Sequence, residues 1–105
     1  MSLNMLKQMQ KVKEKMAAAQ EAVRQKTVEV TVGGGMVTVV ANGAQEIVSI
    51  SFEKQVVDPD DVEMLEDLVL SAVNDALRKS KDLMSQEMSK FAKQMGLPPQ
   101  IMNQL

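Results

Sequence analysis

The stretch from Asp58 to Met95 limits what this chain can become more than any other. Asp58-Pro59-Asp60-Asp61 offers an N-cap at Asp58, a proline at the first helical position and carboxylates beside the positive end of a helix dipole. Beyond it Val62, Leu65, Val69, Ala72, Val73, Ala76, Leu77, Leu83, Met84, Met88, Phe91 and Met95 recur at spacings of mostly three and four. Gly96 and Pro98-Pro99 then stop the pattern. A helix over 59–95 would be roughly 55 Å long, whereas a compact domain of about 100 residues has a radius of gyration near 13 Å. Such a helix overhangs its own domain, and its apolar stripe needs a second surface to cover it. A partner is therefore implied before any function is considered.

The rest of the chain supplies the domain. Residues 3–26 read as a first helix, because Leu6, Met9, Val12, Met16, Ala19 and Val23 step by three or four with no glycine or proline among them. On a helical wheel Lys7, Lys11, Lys15 and Lys26 follow one flank of that stripe, Lys13 and Arg24 follow the other, and Glu14 and Glu21 point away. From Thr27 the period changes to two. The pattern predicts strands over 27–32, 36–41 and 46–52, with Val28, Val30 and Val32 on one face, then Val37, Val39 and Ala41, then Val48, Ile50 and Phe52. Ile47, Ser49 and Ser51 are expected to face outward. Gly33-Gly34-Gly35 makes the first turn, and Asn42-Gly43 is the dipeptide favoured in tight hairpins with positive φ. The predicted fold is α+β, one domain over 1–105 in the order α-β-β-β-α. A three-stranded antiparallel meander lies between two long helices, and residues 96–105 form an irregular tail. One face of the sheet is apolar and the other rich in Thr and Ser, so helices should cover one side only. Its edge strand is a liability that pairing with a second subunit would remove, extending the sheet across a homodimer.

Composition removes several function classes. The 105 residues include no cysteine and no histidine, which leaves no disulfide, no thiol nucleophile, no imidazole base and none of the usual zinc ligands. Asp58, Asp60, Asp61 and Glu63 could face a hard cation, but they lack the glycine and distal glutamate of a calcium loop, and carboxylates belong at a helix start anyway. The glycine run is followed by a strand and by no Lys-Ser/Thr, so it reads as a hairpin loop and not a phosphate loop. Two phenylalanines are too few to line a sugar pocket. An enzyme is not expected, nor a cofactor, a metal or a small-molecule substrate. No apolar run approaches the roughly 18 residues of a membrane span, and the start lacks the unbroken apolar segment of a secretory signal. The expected location is the cytoplasm.

The formal net charge of −2 hides a segregation along the chain. Residues 1–26 carry a net +4, 27–57 −2, 58–77 −7 and 78–95 +3. Arg78, Lys79 and Lys81 cluster, and Lys79, Lys90 and Lys93 return to nearly one side of the long helix. If both basic segments project from the same side of a dimer, they form a surface suited to a polyanion. Duplex DNA is the natural candidate, because neutralising its backbone needs only positioned cations, whereas single-strand binding would need aromatic stacking that this chain can hardly supply. The ten methionines carry a rival reading, an adaptable groove for protein partners in the manner of a coiled-coil clamp or chaperone.

Glu63-Met64-Leu65-Glu66-Asp67-Leu68-Val69, then Ala72-Val73-Asn74-Asp75-Ala76, then Leu97-Pro98-Pro99 resemble the bacterial YbaB/EbfC nucleoid-associated protein family. The Lys/Met/Gln-rich first helix and the Val-Thr-Val-Val-Ala-Asn-Gly hairpin agree in order and spacing, so the resemblance covers nearly the whole chain. It implies a cytoplasmic homodimer whose paired sheets carry projecting helices in a tweezer-like shape. It also implies binding of duplex DNA, nucleoid organisation and gene regulation. Contacts attributed to the family's terminal helices map here onto Lys7, Lys11, Lys15, Arg78, Lys79 and Lys81. The mildly acidic overall charge departs from what tight nonspecific binding would favour.

Overall fold

The computed structural model describes residues 2–97, so most of the expected tail lies outside the described residues. The order is α1 (Leu3–Arg24), β1 (Thr27–Val32), β2 (Val37–Asn42), β3 (Ile47–Phe52), a single 3-10 turn at Lys54–Val56, and α2 (Val62–Gln94). This is the expected α-β-β-β-α succession, drawn out to 68 × 20 × 19 Å with a radius of gyration of 19.1 Å. The 33 residues of α2 account for most of that length, at about 1.5 Å per residue.

The helix ends show how local hydrogen bonding overrides a sequence signal. Ser2 caps α1, its hydroxyl accepting from the Met5 amide at 3.2 Å. At the other end α1 stops at Arg24, two residues before the expected end. The Lys26 amide turns back to the Val23 carbonyl, and the Lys26 carbonyl is taken by the Gly43 amide. Asp58 is not the cap of α2, and Pro59 does not stand at its first position. The Asp58 carboxylate instead accepts from the Asp60 amide at 2.9 Å and its carbonyl from the Asp61 amide at 3.0 Å, closing a separate turn. Asp61 then caps α2 by accepting from the Met64 amide at 3.3 Å. At its far end Gly96 takes φ +70°, and Leu97 donates back to the Ala92 carbonyl at 2.8 Å, a glycine-terminated helix stop.

The sheet is antiparallel in the order β1-β2-β3, with Val30 opposite Val39 and Val32 opposite Val37. Gly33, Gly34 and Gly35 all adopt positive φ in the turn between β1 and β2, which no run of side-chain-bearing residues would do cheaply. α2 crosses β1 and β2 with Ala72 and Ala76 facing down. Their small side chains let the helix close on Val30, Val37, Val39, Ala41 and Val56. Burying each of these valines contributes roughly 1.5–3 kcal/mol. A second cluster joins the helices to each other, with Met16 and Val23 of α1 against Met88 and Phe91 of α2.

Two features of the second hairpin differ from the sequence reading. Positive φ falls on Gln45, not on Asn42-Gly43, because the connection is a four-residue loop. Its shape is set by the Asn42 side-chain carbonyl, which accepts from the Ala44 and Glu46 amides. A bulge then shifts the register so that Ala41 faces Ile47, while Val39 faces Ile50 and Val37 faces Phe52. Ile47 therefore takes the inward position expected for Val48. Nor is β3 buried within the chain. Because α2 barely reaches it, the inward Ile47, Ile50 and Phe52 stay 36%, 42% and 45% exposed, and Val48, turned outward, is 58% exposed.

Candidate nucleic-acid interface

The basic residues sit on an arm, so what holds the arm determines where they point. α1 and α2 run antiparallel, with Val23 and Met88 lining one groove near the root and Met16 in the same apolar cluster, against which Met95 and Leu97 also pack. The root is fixed from three sides. Gly43 lies directly against Val23, its amide donating to the Lys26 carbonyl at 3.0 Å. Arg24 reaches Glu46 of the hairpin loop at 3.2 Å and Glu21 of its own helix at 3.4 Å. Ser80, fully buried in α2, accepts from the Gln45 amide at 2.8 Å and donates to the Asn42 carbonyl, tying the loop to the long helix.

Across the helix pair Lys26 donates to Glu87 at 2.8 Å, with Lys90 at 3.8 Å from the same carboxylate oxygen. The hydrogen bond from Lys26 is the main cause that holds the Glu87 carboxyl below its ordinary value. The charges of Lys26 and Lys90 add to it, and partial desolvation opposes it.

Grooves beside the helix pair show which cations share a flank. Lys26 and Lys90 line one groove together with Ala19 and Ala22. Arg24 and Lys81 line another, of about 550 Å³, with Gln20 and Ser85. The wheel positions of α1 put Lys15 on the Lys26 flank and Lys13 on the Arg24 flank, with Lys11 and Lys7 turning progressively toward the back of the helix, opposite the apolar stripe. Of the expected contacts, Lys7, Lys11 and Lys15 thus form one exposed line along α1, while Lys81 sits at the arm's root on the opposite flank. Arg78 is paired with Asp75 of the preceding turn, and Lys79 is exposed on α2. One chain does not bring the two groups into a single cluster. Sequence reasoning passed over Ser80, since a serine within an apolar stripe looks like an interruption and only the hairpin packed on it reveals its two hydrogen bonds.

The outer part of α1 is unlike the rest. Every residue from Leu3 to Lys11 is exposed, and Met5, Leu6 and Met9 carry the line of Met16 onward with nothing in the described chain covering them. Among the described residues Lys7, Lys11, Lys13 and Lys15 enter no ion pair. At the opposite end of the molecule Phe52, Leu65, Val69, Leu70 and Val73 line an open apolar groove of about 500 Å³ between β3 and α2.

Among the described residues no group of His, Cys, Asp or Glu side chains could hold a metal ion, and no helix is long and apolar enough to cross a membrane. The fold and its charges define a small α+β protein that offers cations from a projecting helical arm. A sequence model of the YbaB/EbfC DNA-binding family matches residues 1–95, and the chain belongs to that family. Its relatives include a nucleoid-associated protein of Bacillus thuringiensis, 55% identical over 95 residues that span 90% of this chain and 87% of that one. One of Syntrophobacter fumaroxidans is 50% identical over 95 residues, covering 90% and 86%. The fold also matches the crystal structure of an uncharacterized protein from Helicobacter pylori, with a TM-score of 0.71 at 23% identity, over 90% of this chain and 97% of that one.

Proposed function

We propose that this chain binds duplex DNA as a homodimer through the lysines of α1, in the nucleoid, and so influences DNA organisation and gene expression. The observation that carries this reading is the exposed line of Lys7, Lys11 and Lys15, none of which enters an ion pair among the described residues, on an arm where Glu21 and Glu87 are engaged by other cations. Glu21 and Glu46 hold Arg24, and Glu87 holds Lys26. The carboxylates of Asp58, Asp60, Asp61, Glu63, Glu66 and Asp67 lie at the start of α2, away from the arm. A phosphate backbone is met by separated cations on a straight helix without any pocket.

The dimer is supported by β3, an edge strand with exposed apolar side chains, and by the groove it forms with α2. A second copy laid on this face would cover both. The rival reading, a methionine-lined clamp for protein surfaces, keeps the exposed Met5 and Met9 but not Met16 and Met88, which are buried in the joint between the helices.

Fluorescence anisotropy with a random-sequence duplex over a salt series tests the reading. Saturable binding is expected, with log K falling as log salt rises by roughly 0.9 per phosphate contact, and a Lys7/Lys11/Lys15→Glu variant should flatten that slope. Absence of binding at low salt would reject nonspecific duplex association.

A further inference from the structure

The two flanks of the arm differ in charge. On one, Arg24 and Lys81 line a groove, but Glu21 lines it with them and Glu46 holds Arg24 from the hairpin loop, so two cations stand against two carboxylates. On the other, Lys26 and Lys90 line a groove that contains a single carboxylate, Glu87. One positive charge is left in excess there, and the wheel places Lys15 on the same flank.

The geometry of the three side chains leaves that excess available. An ammonium group has three N–H donors. Lys26 gives one to Glu87 at 2.8 Å, while Lys90 stays 3.8 Å from the same oxygen, beyond ordinary hydrogen-bond distance. Both lysine side chains are more than half exposed, whereas that of Glu87 is only 19% exposed. The carboxylate is therefore recessed, and the two ammonium groups it draws together stand at the mouth. Ala19 and Ala22 form the α1 wall, too short to fence off an incoming group, and Gln94 adds a neutral donor. At about 160 Å³ the groove is smaller than the roughly 300 Å³ at which ligand pockets begin, which suits one phosphate group and not a whole small molecule.

We infer that the groove of Lys26 and Lys90 is a further contact with the duplex backbone, in which one phosphate accepts from both ammonium groups, and that Glu87 beneath them is a positioning residue that gathers the two cations and moderates their pull. This contact rests on the duplex-binding reading and deepens it, by carrying the cationic line past Lys15 to the root of the arm on one flank alone.

Four proteins test it: the unaltered chain, Glu87→Gln, Lys26→Gln/Lys90→Gln and the combination of all three, each first checked for its fold by circular dichroism. Binding to a random-sequence duplex is followed by anisotropy over a salt series. The double lysine variant should lower the salt slope by roughly 0.9, the loss of one phosphate contact. Glu87→Gln should tighten binding about fivefold at low salt, on the order of one close charge repulsion in water, and should change nothing once both lysines are gone. If the double lysine variant does not fold, Lys90→Gln takes its place. An unchanged salt slope in lysine variants that still bind overturns the inference and leaves duplex binding standing. Weaker binding of Glu87→Gln with or without the lysines also overturns it, since Glu87 would then act only by holding the helices together. Equal tightening in both backgrounds overturns it as well, placing the effect of Glu87 outside this groove. Absence of binding by the unaltered protein removes the duplex-binding reading, and this contact with it.

Discussion

Gly43 lies against Val23 so closely that a β-carbon on the glycine would overlap both the valine side chain and its carbonyl. This contact fixes where the first helix leaves the sheet, and with it the direction of the basic arm. Gly43 is needed for space and not for φ, since the positive φ of the loop falls on Gln45. A Gly43→Ala substitution must push α1 away from the hairpin and strain the hydrogen bond between the Gly43 amide and the Lys26 carbonyl. It should cost about 1–3 kcal/mol, the usual range for overpacking a tight contact, and urea denaturation followed by circular dichroism would read it.

The bridge from Lys26 to Glu87 makes part of the arm's attachment pH-dependent. The Glu87 carboxyl is held below its ordinary value of 4.5, chiefly by the Lys26 hydrogen bond. Its folded pKa is thus lower than its unfolded one. The stabilisation is complete above the unfolded value and is lost as pH falls through the folded value. A Glu87→Gln variant should therefore be less stable than the unaltered protein near pH 7, and the gap should narrow progressively as pH falls below the ordinary carboxyl value of 4.5. Urea midpoints of both proteins across that range give the comparison, and a gap independent of pH would show that the carboxylate's charge is not what matters.

Much of this architecture is legible in the residues themselves. Val28, Val30 and Val32 alternate because β1 has one covered face, and the three-and-four spacing from Val62 to Met95 follows α2 along its whole length. What escapes is whatever depends on a neighbour. Asp58 looks like a cap until the turn it closes with Asp60 and Asp61 moves the helix start to Val62. Val48 looks inward until the bulge at Val40 and Ala41 gives its place to Ile47. For the site, the wheel separates Lys11 from Lys13. That Lys81 joins the Arg24 flank and Lys90 the Lys26 flank depends on how α1 and α2 are turned toward each other, which no single-helix pattern contains.

Leu70 offers a clean test of the dimer. It is 62% exposed in a single chain, on the rim of the groove shared by Phe52 and Val73. A Leu70→Glu change should leave an isolated chain within about 0.5 kcal/mol of its original stability, as exposed substitutions generally do. In a dimer closed over that groove the same carboxylate would be buried without a partner and would cost several kcal/mol. Sedimentation velocity should therefore find the variant at half the mass of the unaltered protein, with an undiminished circular dichroism spectrum. An unchanged mass would move the dimer contact off this groove.

The six candidate cations differ in position, and their substitutions should differ accordingly. Lys7 and Lys11 lie on the exposed outer turns of α1, whereas Lys81 lines the groove at the root with Arg24, thirteen residues beyond Lys11 and so roughly 20 Å along the helix. Arg78 is already engaged by Asp75. A duplex held by the outer turns would touch the first pair and not the second. Lys7→Gln and Lys11→Gln should each lower the salt slope of duplex binding by roughly 0.9, while Arg78→Gln and Lys81→Gln should leave it unchanged. All four variants keep the fold, because none of these side chains is buried. Equal loss from Lys81→Gln would mean that the DNA lies along the whole arm down to the hairpin loop. Arg24 and Lys13, on the same flank as Lys81, would then be the next residues to substitute.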